Sequence, residues 1–158
     1  MENASTRWLD PQEQQAWRSY VRAVRLVDEV LRRGLEEHEL SHPEYEILVR
    51  LSESPSRALR MSELADGIVN SRSRLTHTVG RLERAGWARR QPCPNDGRGV
   101  MCVLTDEGYA VLEAAAKTHV NGVRENLLDP LTREEFLALG AQLAKVANAI
   151  DPAGHSAF

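Results

Sequence analysis

Three groups of residues in this chain have the types and spacing to do chemistry. His38-Glu39-Leu40-Ser41-His42 spells H-E-x-x-H. On a continuous helix that pattern puts two histidines on a zinc ion, with the glutamate polarising a bound water. Cys93 and Cys102 flank a turn-rich stretch, where two thiols on neighbouring strands could be oxidised together. The third group is Ser71, Arg72, Ser73, Arg74, Thr76, His77 and Arg81, followed by Asp96 and Arg98. Small hydroxyls let a helix come close and bond to base edges, while arginines neutralise phosphates or fork onto guanine. Its chemistry is recognition of a polyanion, with no bond made or broken.

The elements that must carry these groups decide among them. Leu75, Val79 and Leu82 recur at helical spacing and share one face. At about 100° per residue, Ser73, Thr76, His77, Arg81 and Arg84 fall on the other, and no acid stands among them. Gly86 follows as a left-handed cap. The spacing predicts a helix suited to a DNA major groove, capped by Asn70 or Ser71. Next come two β-prone runs, Trp87 to Pro92 and Gly99 to Leu104, with Asn95, Asp96, Gly97 and Arg98 as the turn between them. Arg98 at the tip is expected to enter a narrow minor groove, with Asp96 orienting its guanidinium. A reading helix followed by a basic-tipped hairpin is a winged helix-turn-helix.

Charge supports this reading. Residues 70–100 carry seven arginines against two acids, in a chain whose net charge is −3. A mildly acidic protein that gathers its positive charge into one stretch has a surface for a polyanion. Arg89 and Arg90 read as backbone contacts or as partners of acids.

The zinc pattern fares worse. Ser41 and Pro43 look like the start of a new helix, so H-E-x-x-H straddles a joint between elements. Glu63, the tempting third ligand, lies at the start of another helix. A zinc-dependent hydrolase through His38, Glu39 and His42 remains a distant alternative, and no metal or cofactor is expected. Cys93 and Cys102 read as two unpaired thiols, with a redox switch as the alternative.

The flanking chain reads as helices. Asp10-Pro11-Gln12-Glu13 starts a long one, to Glu36 or Glu37, with Trp17, Tyr20, Val21, Val24, Val27, Leu31 and Leu35 in a stripe. Ser41 to Glu44 opens a second by a capping box, and Ser54-Pro55-Ser56 ends it. Ala58 to Met61 is expected to be a short strand beside the wing. Ser62 is expected to cap a short positioning helix with Leu64, Ala65 and Ile68. Thr105 caps a helix carrying Tyr109, Leu112, Ala116, Val120, Val123 and Leu127, which Asp129-Pro130 interrupts. Thr132 and Glu135 box the last helix, with Phe136, Leu139, Leu143, Val146 and Ile150. The apolar spacing of the terminal helices, near 3.5, suits packing between subunits; folding back onto the chain's own core is the alternative. With 158 residues and 42% hydrophobic content, the chain suits one soluble domain. No signal segment or long apolar run is visible, so it reads as cytoplasmic with no membrane partner.

Arg81-Leu82-Glu83-x-x-Gly86-x-x-Arg89, the wing Asp96-Gly97-Arg98 and Leu104-Thr105-x-x-Gly108, together with Ser71-x-Ser73-x-x-Thr76, resemble the multiple-antibiotic-resistance repressor (MarR) family. The ordered set spans nearly forty residues, and the element order on either side extends the likeness over most of the chain. The resemblance implies a mainly α fold with a small β-hairpin wing. Residues 10–38 and 105–151 would be dimerisation helices, and residues 41–104 the DNA-binding lobe. It implies an effector-responsive repressor, and no enzyme, that binds a pseudo-palindromic operator as a homodimer. Base or groove contact passes to Ser71, Ser73, Thr76 and position 77, where many members have arginine and this chain has His77. Family members commonly hold a small aromatic or anionic effector between the dimer helices and the lobe. Trp17, Tyr20, His42 and Tyr45 belong to helices that would line such a crevice, or are ordinary core and interface aromatics. A constitutive DNA-binding or architectural protein without effector is the runner-up. Some members sense oxidants through a cysteine in the N-terminal helical region, where this chain has none.

Overall fold

The computed structural model describes residues 6–66, 72–94 and 96–152. The chain runs α1 (Pro11–Glu36), α2 (His42–Glu53), β1 (Ala58–Arg60), α3 (Met61–Asp66), α4 (Arg72–Arg84), β2 (Ala88–Cys93), β3 (Asp96–Leu104), α5 (Asp106–Val123) and α6 (Arg133–Ile150). This is a mainly helical winged helix-turn-helix with a three-stranded antiparallel sheet in the order β1-β3-β2. The strand expected near Ala58 pairs with the wing, Leu59 opposite Cys102.

Sequence-readable caps set most helix starts. Asp10, Ser41 and Thr132 each close a capping box, with Glu13, Glu44 and Glu135 reaching back. Thr105 caps α5 by accepting from the Gly108 amide at 2.9 Å. The start of α3 differs from expectation. Glu63 accepts from the Arg60 amide at 2.8 Å, so the helix opens at Met61 and Ser62 lies inside it. The orphan amide was satisfied from inside the helix, which left Ser62 no capping task. Ile68, Asn70 and Ser71 lie outside the described residues.

The wing also departs from its expected form. Cys93 pairs with Asp96 and Pro92 with Val100, so only residues 94–95 join the strands. Asp96, Gly97 and Arg98 therefore belong to β3, and Arg98 is not at the hairpin tip. The register slips between Pro92 and Cys93. Pro92 has no amide to donate to the ladder, and the residues from Gly97 to Gly99 bulge opposite it.

The core lies where α2, α4, α5 and the sheet meet. Leu35, Leu40, Ile47, Leu48, Leu51, Leu64, Val79, Leu82 and Cys102 are fully buried there. After Val123 the chain winds one wider π turn, Arg124–Leu128, before Asp129 and Pro130. The sequence reading placed the break only at Asp129-Pro130. Among the described residues no helix is long and apolar enough to cross a membrane.

Candidate nucleic-acid interface

The face of α4 divides as its periodicity requires. Leu75, Val79 and Leu82 are buried against α2 and the sheet, while Ser73, Arg74, Thr76 and His77 are exposed. Thr78, half-buried, spends its hydroxyl on the Arg74 carbonyl at 2.9 Å, one turn back. The exposed edge is thus made of hydroxyls, a cation and an imidazole on a rigid helix, groups that can donate to phosphates and base edges. Of the other expected contact residues, Ser71 and the side chains of Arg72, Asp96 and Arg98 lie outside what the structure describes.

Two side-chain pairs hold this helix, and a third contact from α2 holds α3 before it. From α2, Arg50 donates to the carbonyls of Leu64 and Glu63 at 2.9 and 3.0 Å, closing the last turn of α3. Also from α2, the Glu44 carboxylate receives Arg81 Nε at 2.8 Å. Arg81 was expected among the cations facing a polyanion, yet its charge already has a protein partner. From the other side, Glu83 of α4 accepts from the backbone amide of Arg90 at 2.7 Å and from its Nε at 2.8 Å, tying α4 to β2. That guanidinium holds the Glu83 carboxyl below the usual carboxylate range.

At the far end of α4 a small knot joins helix, wing and α5. Gly86 ends the helix at φ +80°, a conformation costly for residues with a Cβ. The Thr105 hydroxyl donates to the Gly86 carbonyl at 2.7 Å, and its amide to the Trp87 carbonyl at 3.1 Å. A Cβ on Gly108 would come within 2.0 Å of that Trp87 oxygen, so the chains cross where only glycine fits. The motif residues Gly86, Thr105 and Gly108 therefore fix the base of the hairpin against the end of α4.

The H-E-x-x-H residues are not arranged for zinc. Glu39, at φ +59°, turns the chain between α1 and α2, so the two histidines do not share a helix. His38 Nε2 lies 2.8 Å from Thr118 Oγ1, and His42 packs edge-on to His119 at 6.3 Å between centroids. Glu63 is spent on the Arg60 amide. Cys93 and Cys102 are both buried free thiols, and burial pushes Cys102 up to about 12.

The four aromatics expected around an effector fall into two places. Trp17 and Tyr20 stack on each other at 5.7 Å on the exposed half of α1. Tyr45 packs on the His119 ring at 4.8 Å. His42 also lines a crevice of about 500 Å³, with Asp28, Arg32, Ser41 and Arg81. Neither Trp17 nor Tyr20 reaches it. Sequence reasoning missed Glu44 as a partner of α4, and Arg50 as a cap for α3. The Ser41-x-x-Glu44 spacing marked a cap, but nothing in it points to an arginine so far along the chain.

The sequence pattern of the MarR family matches residues 40–100. The HTH-type transcriptional regulator PecS of Dickeya dadantii (strain 3937) is 35% identical over 122 residues, covering 77% of this chain and 73% of PecS. The chain belongs to the MarR family. Among solved structures of that family it resembles Sco3205 of Streptomyces coelicolor, crystallised in complex with DNA, with a TM-score of 0.86 and 46% identity. That match covers 96% of this chain and 95% of Sco3205. AbsC, also from Streptomyces coelicolor, superposes with a TM-score of 0.87 at 39% identity, over 93% of this chain and 99% of AbsC. PecS, Sco3205 and AbsC are transcriptional regulators, and this chain is a transcriptional regulator of the MarR family.

Proposed function

We propose that this MarR-family regulator is a sequence-specific double-stranded DNA-binding repressor, acting as a homodimer on a pseudo-palindromic operator. The observation that carries the proposal is the exposed edge of α4, Ser73, Arg74, Thr76 and His77, on a helix tied from three sides. The Sco3205 complex with DNA supports the same use of the fold here. Residues 71–77 enter the major groove, and Arg81, on the same helix, is paired with Glu44. Arg98, with Asp96, lies in the bulged wing strand over the minor groove.

Residues 41–104 form the DNA-binding lobe, and residues 10–38 and 105–151 supply the dimer contacts. The N-terminal part of the α1 stripe and the α6 stripe stay largely exposed on a single chain, while Leu35 at the other end of α1 is buried: Trp17 is 56% and Ile150 79% accessible. A second copy covers them and sets two reading helices about one DNA turn apart. The crevice beside His42 is lined by Arg32 and Arg81 and also by Asp28, Glu36 and Glu39. Both arginines are paired with acids of the chain, so a small anionic effector would bind there by displacing Glu29, Glu36 or Glu44 from them. Binding there shifts the population of dimer geometries and weakens operator binding.

Selection of duplexes from a random pool tests the DNA reading. A two-fold-related consensus is expected, with affinity that falls steeply as salt rises. Arg98→Ala is expected to weaken binding severalfold. No preference among duplexes, or a strictly monomeric complex, refutes the proposal.

A further inference from the structure

Among the described residues, Glu44 is the one buried charged side chain, at 2% accessibility. One of its tasks is local. Its Oε2 accepts from the Ser41 amide at 2.8 Å and from the Ser41 hydroxyl, completing the cap of α2. A glutamine would serve there equally well, since capping needs only an acceptor. The full negative charge has a different partner. Arg81 reaches it with Nε at 2.8 Å on Oε1 and Nη2 at 3.3 Å on Oε2, a two-point fork between α2 and α4.

The apolar contacts between these helices are non-directional. Leu75, Val79 and Leu82 hold α4 against the core but by themselves tolerate a small roll about its axis, which Glu83 and Arg90 oppose from the β2 side only. A side-chain tip about 6 Å from the axis moves by about 2 Å in a 20° roll, enough to break a hydrogen bond to a base edge. A planar guanidinium on a fixed carboxylate resists that roll, because both bonds must stay in line.

We propose that Glu44 is a positioning residue for the reading helix. Through Arg81 it sets the roll of α4, and Arg81 serves duplex recognition by holding Glu44 instead of binding a phosphate. This rests on the assignment of α4 as the DNA-reading helix.

The test uses the full chain and a duplex selected from a random pool, with a scrambled duplex for comparison. Glu44→Gln keeps the cap and removes the charge; Arg81→Met removes the fork and keeps the stem. Each single change is expected to lower the preference for the selected duplex about tenfold. The double variant is expected to be no worse than the poorer single, because both remove one interaction. The dependence of affinity on salt is expected to stay unchanged in Arg81→Met. A slope reduced by about one would make Arg81 a phosphate contact and overturn the proposal. Additive losses, or wild-type preference in Glu44→Gln, also overturn it. Should Arg81→Met not fold, amide exchange in Glu44→Gln decides: faster exchange along residues 75–84 with α6 unchanged supports the clamp, and unchanged exchange refutes it. A wild-type chain without duplex preference would sink the DNA reading, while the exchange measurement would still judge the clamp.

Discussion

The lobe from α2 to β3 and the outer helices α1 and α6 have similar apolar stripes and opposite fates. In the lobe, Ile47, Leu48, Leu51, Leu64 and Val79 are all buried within one chain. On α6, Leu137, Leu143, Val146 and Ile150 stay exposed, and α1 leaves Trp17, Tyr20, Val24 and Leu26 open. A hydrophobic stripe states that a face will be covered, and says nothing about which chain covers it. Burial of each such side chain against a second copy supplies about 1.5–3 kcal/mol before the cost of association. The core of the lobe is closed within one chain, with Leu35 of α1 and Leu112 and Ala115 of α5 completing it, while the proposed dimer rests on the exposed parts of α1 and α6.

The contrast can be broken most forcefully inside the lobe. Leu51→Ala, at a position with no accessible surface, is expected to lose about 2–5 kcal/mol in urea unfolding. A loss well under about 1 kcal/mol would move the core elsewhere. On the outer helices, Leu143→Asp with Val146→Asp should convert a two-chain species to one chain in sedimentation equilibrium, with far-ultraviolet dichroism of the lobe retained. Loss of helix throughout would show that these side chains hold the chain's own fold. At the boundary between the regions, Thr105→Val removes both the cap of α5 and the bond to the Gly86 carbonyl. The expected cost is about 1–2 kcal/mol, read as a lower midpoint in denaturant.

The seam between α2 and α5 offers a test by pH. Burial, with the charge of nearby His42 as a smaller cause, lowers the pKa of His119 below the ordinary 6.5. Among the described residues neither His42 Nδ1 nor His119 Nδ1 meets a hydrogen-bond partner. The folded state therefore keeps His119 neutral, while the unfolded chain takes up a proton as pH falls through about 6.5. Stability is expected to drop from neutral pH towards about 5.5, and His119→Phe to flatten that drop in thermal melts. A steeper drop in the variant would assign the effect to another group. The smallest effect belongs to Cys102, whose pKa burial pushes up to about 12, so the thiol stays protonated at neutral pH. It should resist thiol reagents until the lobe unfolds, and rapid labelling of native protein would contradict its burial.

Local chemistry was largely legible in the sequence. The capping boxes at Asp10, Ser41 and Thr132, the Gly86 cap and the two faces of α4 follow from spacing alone. What stayed hidden involves distance along the chain. Arg81 looks identical to a free surface cation until α2 brings Glu44 to it. The wing was misplaced because the turn-forming run Asn95 to Gly99 contains several allowed turns, and only the pairing of Cys93 with Asp96 selects one. The π turn at Arg124–Leu128 has no residue signature comparable to a proline or a cap. The separation of Trp17 and Tyr20 from His42 reflects helix length, since α1 spans 26 residues and its two ends serve different neighbourhoods.

The crossing at Thr105 also constrains how such a regulator can diversify. With the hairpin anchored at its root by Gly86, Trp87 and Gly108, residues can be added or removed between β2 and β3 without disturbing the anchorage. The far end of the wing can then change length and charge while α4 keeps its pose. An appendage can be edited there with the load-carrying frame left intact.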